Sequence, residues 1–155
     1  MLVRRLARPM LASWYVHDGL DALRTPAGHV ATARPVADRV TAAAGRPPLS
    51  DRTLAWAVRA HGAATVLAGA GLALGRAPRT SAAALAALTL PLVVAQQPWT
   101  SRRTLDRDRV GPFVHALGGL GAAVLAAVDL EGRPGVAWRV DRARRDRADA
   151  AAQDA

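Results

Sequence analysis

Apolar residues fall into four runs separated by arginine- and proline-rich polar connectors. One of them, Val110–Leu130 (VGPFVHALGGLGAAVLAAVDL), holds His115 and the terminal Asp129 as its only ionisable side chains. A helix needs about 20 such residues to cross a hydrocarbon core of about 30 Å, at roughly 1.5 Å of rise per residue. The run therefore predicts a transmembrane helix over 110–130, opened by Pro112 near its first turn and closed by Asp129-Leu130-Glu131-Gly132-Arg133-Pro134. Leu54–Leu74 (LAWAVRAHGAATVLAGAGLAL) predicts a second span over 54–75, and Ser81–Ala95 a third over 80–97, kinked at Pro91. The first run is interrupted by His17, Asp18 and Asp21 and opened by Pro9. It reaches spanning length, over 6–24, only with arginine ends that can snorkel to the interface.

These elements predict an all-α fold, an integral membrane four-helix transmembrane bundle over 1–139, followed by an arginine-rich polar tail over 140–155. Thr25–Arg52, with Pro26, Pro35, Pro47 and Pro48, reads as a polar connector carrying one short helix, Pro35–Ala44, stopped by Gly45. That helix suits the membrane interface or an ordinary protein surface.

Composition sharpens this picture. The chain is 51% hydrophobic yet has one Phe and one Tyr, so its apolar mass is mostly Ala, Leu and Val. Small side chains let helix backbones approach closely in lipid. Gly118, Ala122 and Ala126 form a small-x-x-x-small ridge expected to meet another helix, and Gly71 with Gly75 reads as packing. Trp99, just after the third run, suits the interfacial aromatic belt.

The net charge is +9, and every basic residue is Arg. Most of these arginines flank the apolar runs, where they meet phospholipid headgroups, so nucleic acid is not the expected partner. Eleven Arg fall on the side of the termini and eight on the opposite side, which favours cytoplasmic termini. The basic, apolar N-terminus resembles a signal peptide, but Asp18 and Asp21 follow and no A-x-A-like site closes it, so no cleavage is expected. With no cysteine, the chain has no thiol nucleophile, disulfide or cysteine-held cluster, and any redox role would borrow its electron carrier.

The candidates for chemistry are the ionisable residues inside the apolar runs: His17, Asp18 and Asp21, then Arg59 and His61, then His115. A charge at mid-bilayer costs about 2.5–3.5 kcal/mol, so each should face the bundle and find a partner. Arg59 near the start of the second span matches Asp18 and Asp21 near the end of the first in depth, and a pair across that interface is expected. Three roles remain open for these groups. They could fix the helix register, or build a polar pocket (His17, Arg59, His61, His115) that binds a quinone headgroup or relays a proton, or meet water at the interface. No H-x-x-x-H or E-x-x-H pairing points to a metal, and no G-x-S-x-G, Walker loop or dinucleotide fingerprint occurs.

Four blocks, RPMLASWYVHDGLDALRTP, GAGLALGRAPR, QPWT and FVHALGGLGAAVLAAVDLEGRPGVAWR, resemble the DoxX family of small four-helix bacterial membrane proteins, actinobacterial members most closely. The resemblance implies a multi-pass protein of the bacterial plasma membrane. For some relatives it implies a membrane subunit in quinone-linked sulfur or oxidative-stress chemistry. On that reading Asp18, Asp21, Arg59 and His61 line the headgroup pocket, the Arg polarising a carbonyl oxygen and a His or Asp moving the proton, while a soluble redox partner supplies electrons. The alternative is a non-catalytic scaffold that anchors a soluble redox or stress-response enzyme through Arg139–Arg147.

Overall fold

The computed structural model describes residues 2–99 and 105–129, with Arg142 and Arg145. The predicted tail over 140–155, apart from those two arginines, and the Leu130–Arg139 block lie outside the described residues. The described residues form five helices: α1 (Leu2–Arg24), α2 (Pro26–Ala43), α3 (Asp51–Ala73), α4 (Pro78–Ala95) and α5 (Arg107–Val128). Four correspond to the predicted spans, and their ends are set by local chemistry. The Ser50 hydroxyl accepts from the Thr53 N–H at 3.2 Å and caps α3. Gly75, at φ +66°, and Ala77, at φ 51°, turn the chain sharply before Pro78 opens α4. The Asp106 carboxylate accepts from the Asp108 N–H at 3.1 Å and caps α5.

Two predicted boundaries are corrected. Pro9 lies inside α1, which begins at Leu2; its ring removes a single helical hydrogen bond, a loss that packed neighbours tolerate. The connector after α1 is a full helix, Pro26–Ala43, in place of the short Pro35–Ala44. Pro26 at its first turn provides a helix start that the density of prolines obscured.

The bundle is held by small residues. α1 runs antiparallel to α3, and at Gly19 and Gly62 the two backbones nearly touch: a Cβ on Gly62 would lie 2.7 Å from the Gly19 carbonyl oxygen. Gly69 makes the same kind of room for Val16, and Gly71 for Ser81 as α3 turns into α4. α5 packs on α4, and its buried ridge is Ala116, Gly119 and Ala123, with Gly119 against Trp14 and Tyr15 of α1; this ridge sits beside the predicted one, and Gly118 is exposed. The Arg79 side chain donates to the Ala127 carbonyl at 3.2 Å, tying the start of α4 to the end of α5. The α1 and α5 backbones stay further apart, and the large side chains of Trp14 and Tyr15 bridge them.

The core is mostly Ala, Gly and Thr around Tyr15, Leu54, Leu72 and Leu85, while many other large apolar side chains lie outside. Met10 on α1, Leu67 on α3 and Leu125 on α5 are 72%, 73% and 71% exposed. α4 and α5 are each long and apolar enough to cross a membrane, yet only 22% and 17% of their most apolar windows is buried within the bundle. A soluble core helix would hide that surface; here it faces outward, as a lipid-solvated helix requires. α1 and α3 fall short of the same composition criterion, with ionisable residues in their runs, but they too expose large apolar side chains, Leu6 and Met10 on α1 and Trp56 and Leu67 on α3. The chain is an all-α integral membrane bundle.

α2 has no buried residue and lies against α3, α4 and the end of α1. Arg34 fastens it to the start of α3, donating to the Leu49 carbonyl at 2.6 Å and pairing with the Asp51 carboxylate.

Candidate functional site

The helices converge on two adjoining cavities at the end of the bundle where α1 stops and α3 begins. Asp18 lies six residues before the end of α1, about 9 Å along the axis at 1.5 Å per residue, so the site sits well inside the outermost turn. The inner cavity, of about 100 Å³, is walled largely by apolar surface, but it gathers Asp18, His29, His61, Gln96 and His115 in its lining. The outer one, of about 270 Å³, opens beneath α2 and is walled chiefly by apolar side chains, among them Val36, Leu54, Val58, Pro91 and Leu92. The two share Ala22, His29, His61, Leu92 and Gln96 as a common rim.

Most polar groups around the inner cavity are already engaged. The Tyr15 hydroxyl donates to the Gly119 carbonyl at 2.5 Å, the Thr65 hydroxyl to the His61 carbonyl at 2.9 Å and the Thr89 hydroxyl to the Leu85 carbonyl at 2.7 Å. His115 Nε2 lies 2.7 Å from the Trp14 indole nitrogen, which donates to it, and 3.2 Å from Asp18 Oδ2. By contrast, His61 Nε2 and Gln96 Oε1 are buried without a hydrogen-bond partner. Both belong to the rim shared by the two cavities. A buried polar atom left unsatisfied costs about 1–3 kcal/mol, so two of them on residues of one rim single this junction out.

The predicted residues divide sharply. Asp18, His61 and His115 meet at the inner cavity. His17 points away, 83% exposed, touching only the Asp18 carboxylate at 3.5 Å. Asp21 is also off the cavity, but it receives the Thr25 hydroxyl at 2.6 Å and lies 2.9 Å from His29 Nε2, so it positions His29 at the mouth. The expected pairing of Arg59 with Asp18 or Asp21 is not formed. Arg59 lies 5.9 Å from the centre of the Trp56 ring, lines neither cavity, and both carboxylates are held elsewhere. The geometric reason is rotation about the helix axis: equal depth put Arg59 and the acids at one level, but Arg59 shares its turn with Trp56 on the outward side.

His29, Gln96 and Trp14 escaped the sequence reading. His29 sat in a segment read as connector, although Pro26 followed by His29, Ala33, Val36 and Ala37 has the spacing of one helical face. Gln96 read only as the end of a span. Among the described residues, no group of three His, Asp or Glu side chains is placed to hold a metal ion.

Comparison with known families settles what kind of chain this is. The sequence profile of the DoxX family matches residues 4–97, more than half of the protein. The chain belongs to the DoxX family. The match takes in α1 to α4, hence every cavity residue except those contributed by α5; the C-terminal block that also resembled the family lies beyond it. No curated protein and no solved structure matches the chain. In this DoxX protein the arrangement offers an apolar chamber leading to a narrower one lined by Asp18 and His115, with His61 and Gln96, each holding an unpartnered polar atom, at the junction.

Proposed function

We propose that this DoxX protein is the quinone-binding membrane subunit of an oxidoreductase system, lying in the bacterial plasma membrane with its termini cytoplasmic. The observation that supports the reading is the pair of unpartnered atoms, His61 Nε2 and Gln96 Oε1, on residues shared by an apolar chamber and a smaller one that also holds Asp18 and His115. A quinone has the complementary shape and chemistry: an apolar ring and tail for the space beneath α2, and oxygens that need partners at its head. A carbonyl oxygen accepts from a histidine N–H. In the hydroquinone, an O–H donates to the Gln96 carbonyl oxygen, so each redox form finds a partner. Turning the Gln96 amide over presents an N–H instead, which suits the oxidised form.

In this reading the quinone takes up two electrons from a soluble partner and two protons through the cavity, becoming hydroquinone. The chain itself binds and orients the ring, limits water to the inner chamber, and carries protons at its histidines. Arg59, away from both cavities, takes no part in polarising the headgroup.

The test is direct binding. Protein in lipid nanodiscs, titrated with a short-chain ubiquinone, should bind saturably. A His61→Ala, Gln96→Ala double variant should weaken affinity at least tenfold, while Leu67→Ala on the lipid-facing side of α3 leaves it unchanged. Equal affinity for the double variant and the parent would overturn the assignment, and absence of binding by the parent would favour the scaffold role.

A further inference from the structure

We infer that Asp18 and His115 share one proton across the inner cavity and exchange it with the outside of the bundle through His17. The inference takes the cavity as the ligand site proposed above, but rests on different atoms. The decisive feature is His115 Nε2, which has two neighbours of opposite demand. The Trp14 indole N–H, at 2.7 Å, can only donate. It therefore needs a bare nitrogen with its lone pair free. Asp18 Oδ2, at 3.2 Å from the same nitrogen, can only accept when ionised, and so needs that nitrogen to carry hydrogen.

One proton reconciles the two demands in either of two positions. On Asp18, its O–H donates to Nε2 beside the indole. On His115, Nε2–H donates to the carboxylate and the indole gives up its acceptor. Neither position satisfies all three groups: each leaves one of them short of a partner.

The rest of the surroundings fit an exchange path. Asp18 Oδ1 lies 3.5 Å from His17 Nδ1, and the His17 side chain, 83% exposed against 57% for His115 and 42% for Asp18, is the outermost of the three. The helices packed around the pair bring other titratable groups: Tyr15 from α1, its hydroxyl already donated to Gly119; His29 from α2, held by Asp21; and His61 from α3, across the same cavity. α4 contributes the uncharged Thr89 and Gln96. Asp18 is thus the carboxylate lining the inner cavity, with one oxygen toward His115 and the other toward the surface histidine. A proton arriving from the cavity side is matched by one leaving Asp18 for His17, with one bond to hydrogen formed for each broken and no electrons moved.

The experiment uses Trp14 as the reporter, because a protonated imidazole quenches a touching indole far more than a neutral one. In a Trp56→Phe, Trp99→Phe, Trp138→Phe background in nanodiscs, without added quinone, Trp14 fluorescence should change with pH as the proton moves onto His115. Asp18→Asn should move the midpoint down by at least half a pH unit, and Asp18→Glu should restore it. His115→Gln, which keeps an acceptor for the indole, should abolish the titration. After a pH jump, His17→Ala should slow the signal at least threefold. A flat parent signal, a titration that survives His115→Gln, or an Asp18→Asn midpoint equal to the parent's would overturn the shared proton; an unaltered rate in His17→Ala would overturn the outlet. Because no quinone is present, these results stand apart from the binding titration.

Discussion

Replacing His61 by Leu separates a residue kept for a ligand from one kept for the fold. The two side chains are of similar size, so His61→Leu mainly removes the ring nitrogens from the boundary of the two cavities. In the protein alone, His61 Nε2 is buried and has no partner. If the site were dry, removing that atom would lift an unsatisfied-group cost of about 1–3 kcal/mol. If a water in the inner cavity, of about 100 Å³, serves the nitrogen, the gain falls toward zero. At about 2–4 °C per kcal/mol for a chain of this size, the variant's melting temperature without ligand should therefore be unchanged or higher by up to about 10 °C. Quinone binding should move the other way. Loss of one hydrogen bond worth about 0.5–1.5 kcal/mol predicts a roughly 2- to 13-fold weaker affinity. Thermal unfolding by near-ultraviolet circular dichroism, with and without a short-chain ubiquinone, reads both effects in one sample. A ligand-free melting temperature several degrees below the parent would show that His61 is a structural residue and refute the reasoning.

Glycine substitutions should differ according to what the added carbon meets. Gly62→Ala places a Cβ 2.7 Å from the Gly19 carbonyl oxygen, which cannot step aside, and should cost about 1–3 kcal/mol in thermal unfolding. Gly71→Ala meets the Ser81 hydroxyl at 2.6 Å, which can rotate away, and should stay within about 0.5 kcal/mol of the parent, helped by the better helix propensity of Ala. Ser50→Ala removes the α3 cap and should lower stability by about 1 kcal/mol, a melting shift of about 2–4 °C. Asp21→Asn weakens the hold on His29 at the start of α2, and limited trypsin digestion at Arg39 should quicken by up to about fivefold, the scale of an exposed ion pair.

The four spans were legible because lipid imposes a length and a composition that few other environments demand, and Val110–Leu130 satisfies both. Asp18, His61 and His115 were legible for the same reason: an ionisable group in an apolar run needs somewhere to face, and for these three it is the inner cavity. Which way a helix is turned was not legible. Arg59 and Asp21 share a depth, yet only the rotation fixed at the Gly19–Gly62 contact decides that Arg59 lies over Trp56, outside. His29 was hidden for another reason. Pro26 and Pro35 suggested a broken connector, although one starts α2 and the other is absorbed within it.

The central claim, that the junction beneath α2 receives a quinone headgroup, is tested most directly by covalent mapping in native membranes. A photoreactive quinone analogue, followed by trypsin digestion and mass spectrometry, should label the Ala60–Arg76 peptide carrying His61 and the Thr80–Arg102 peptide carrying Gln96, and excess unlabelled quinone should prevent it. Label confined to other peptides, or label that unlabelled quinone does not displace, would contradict the account.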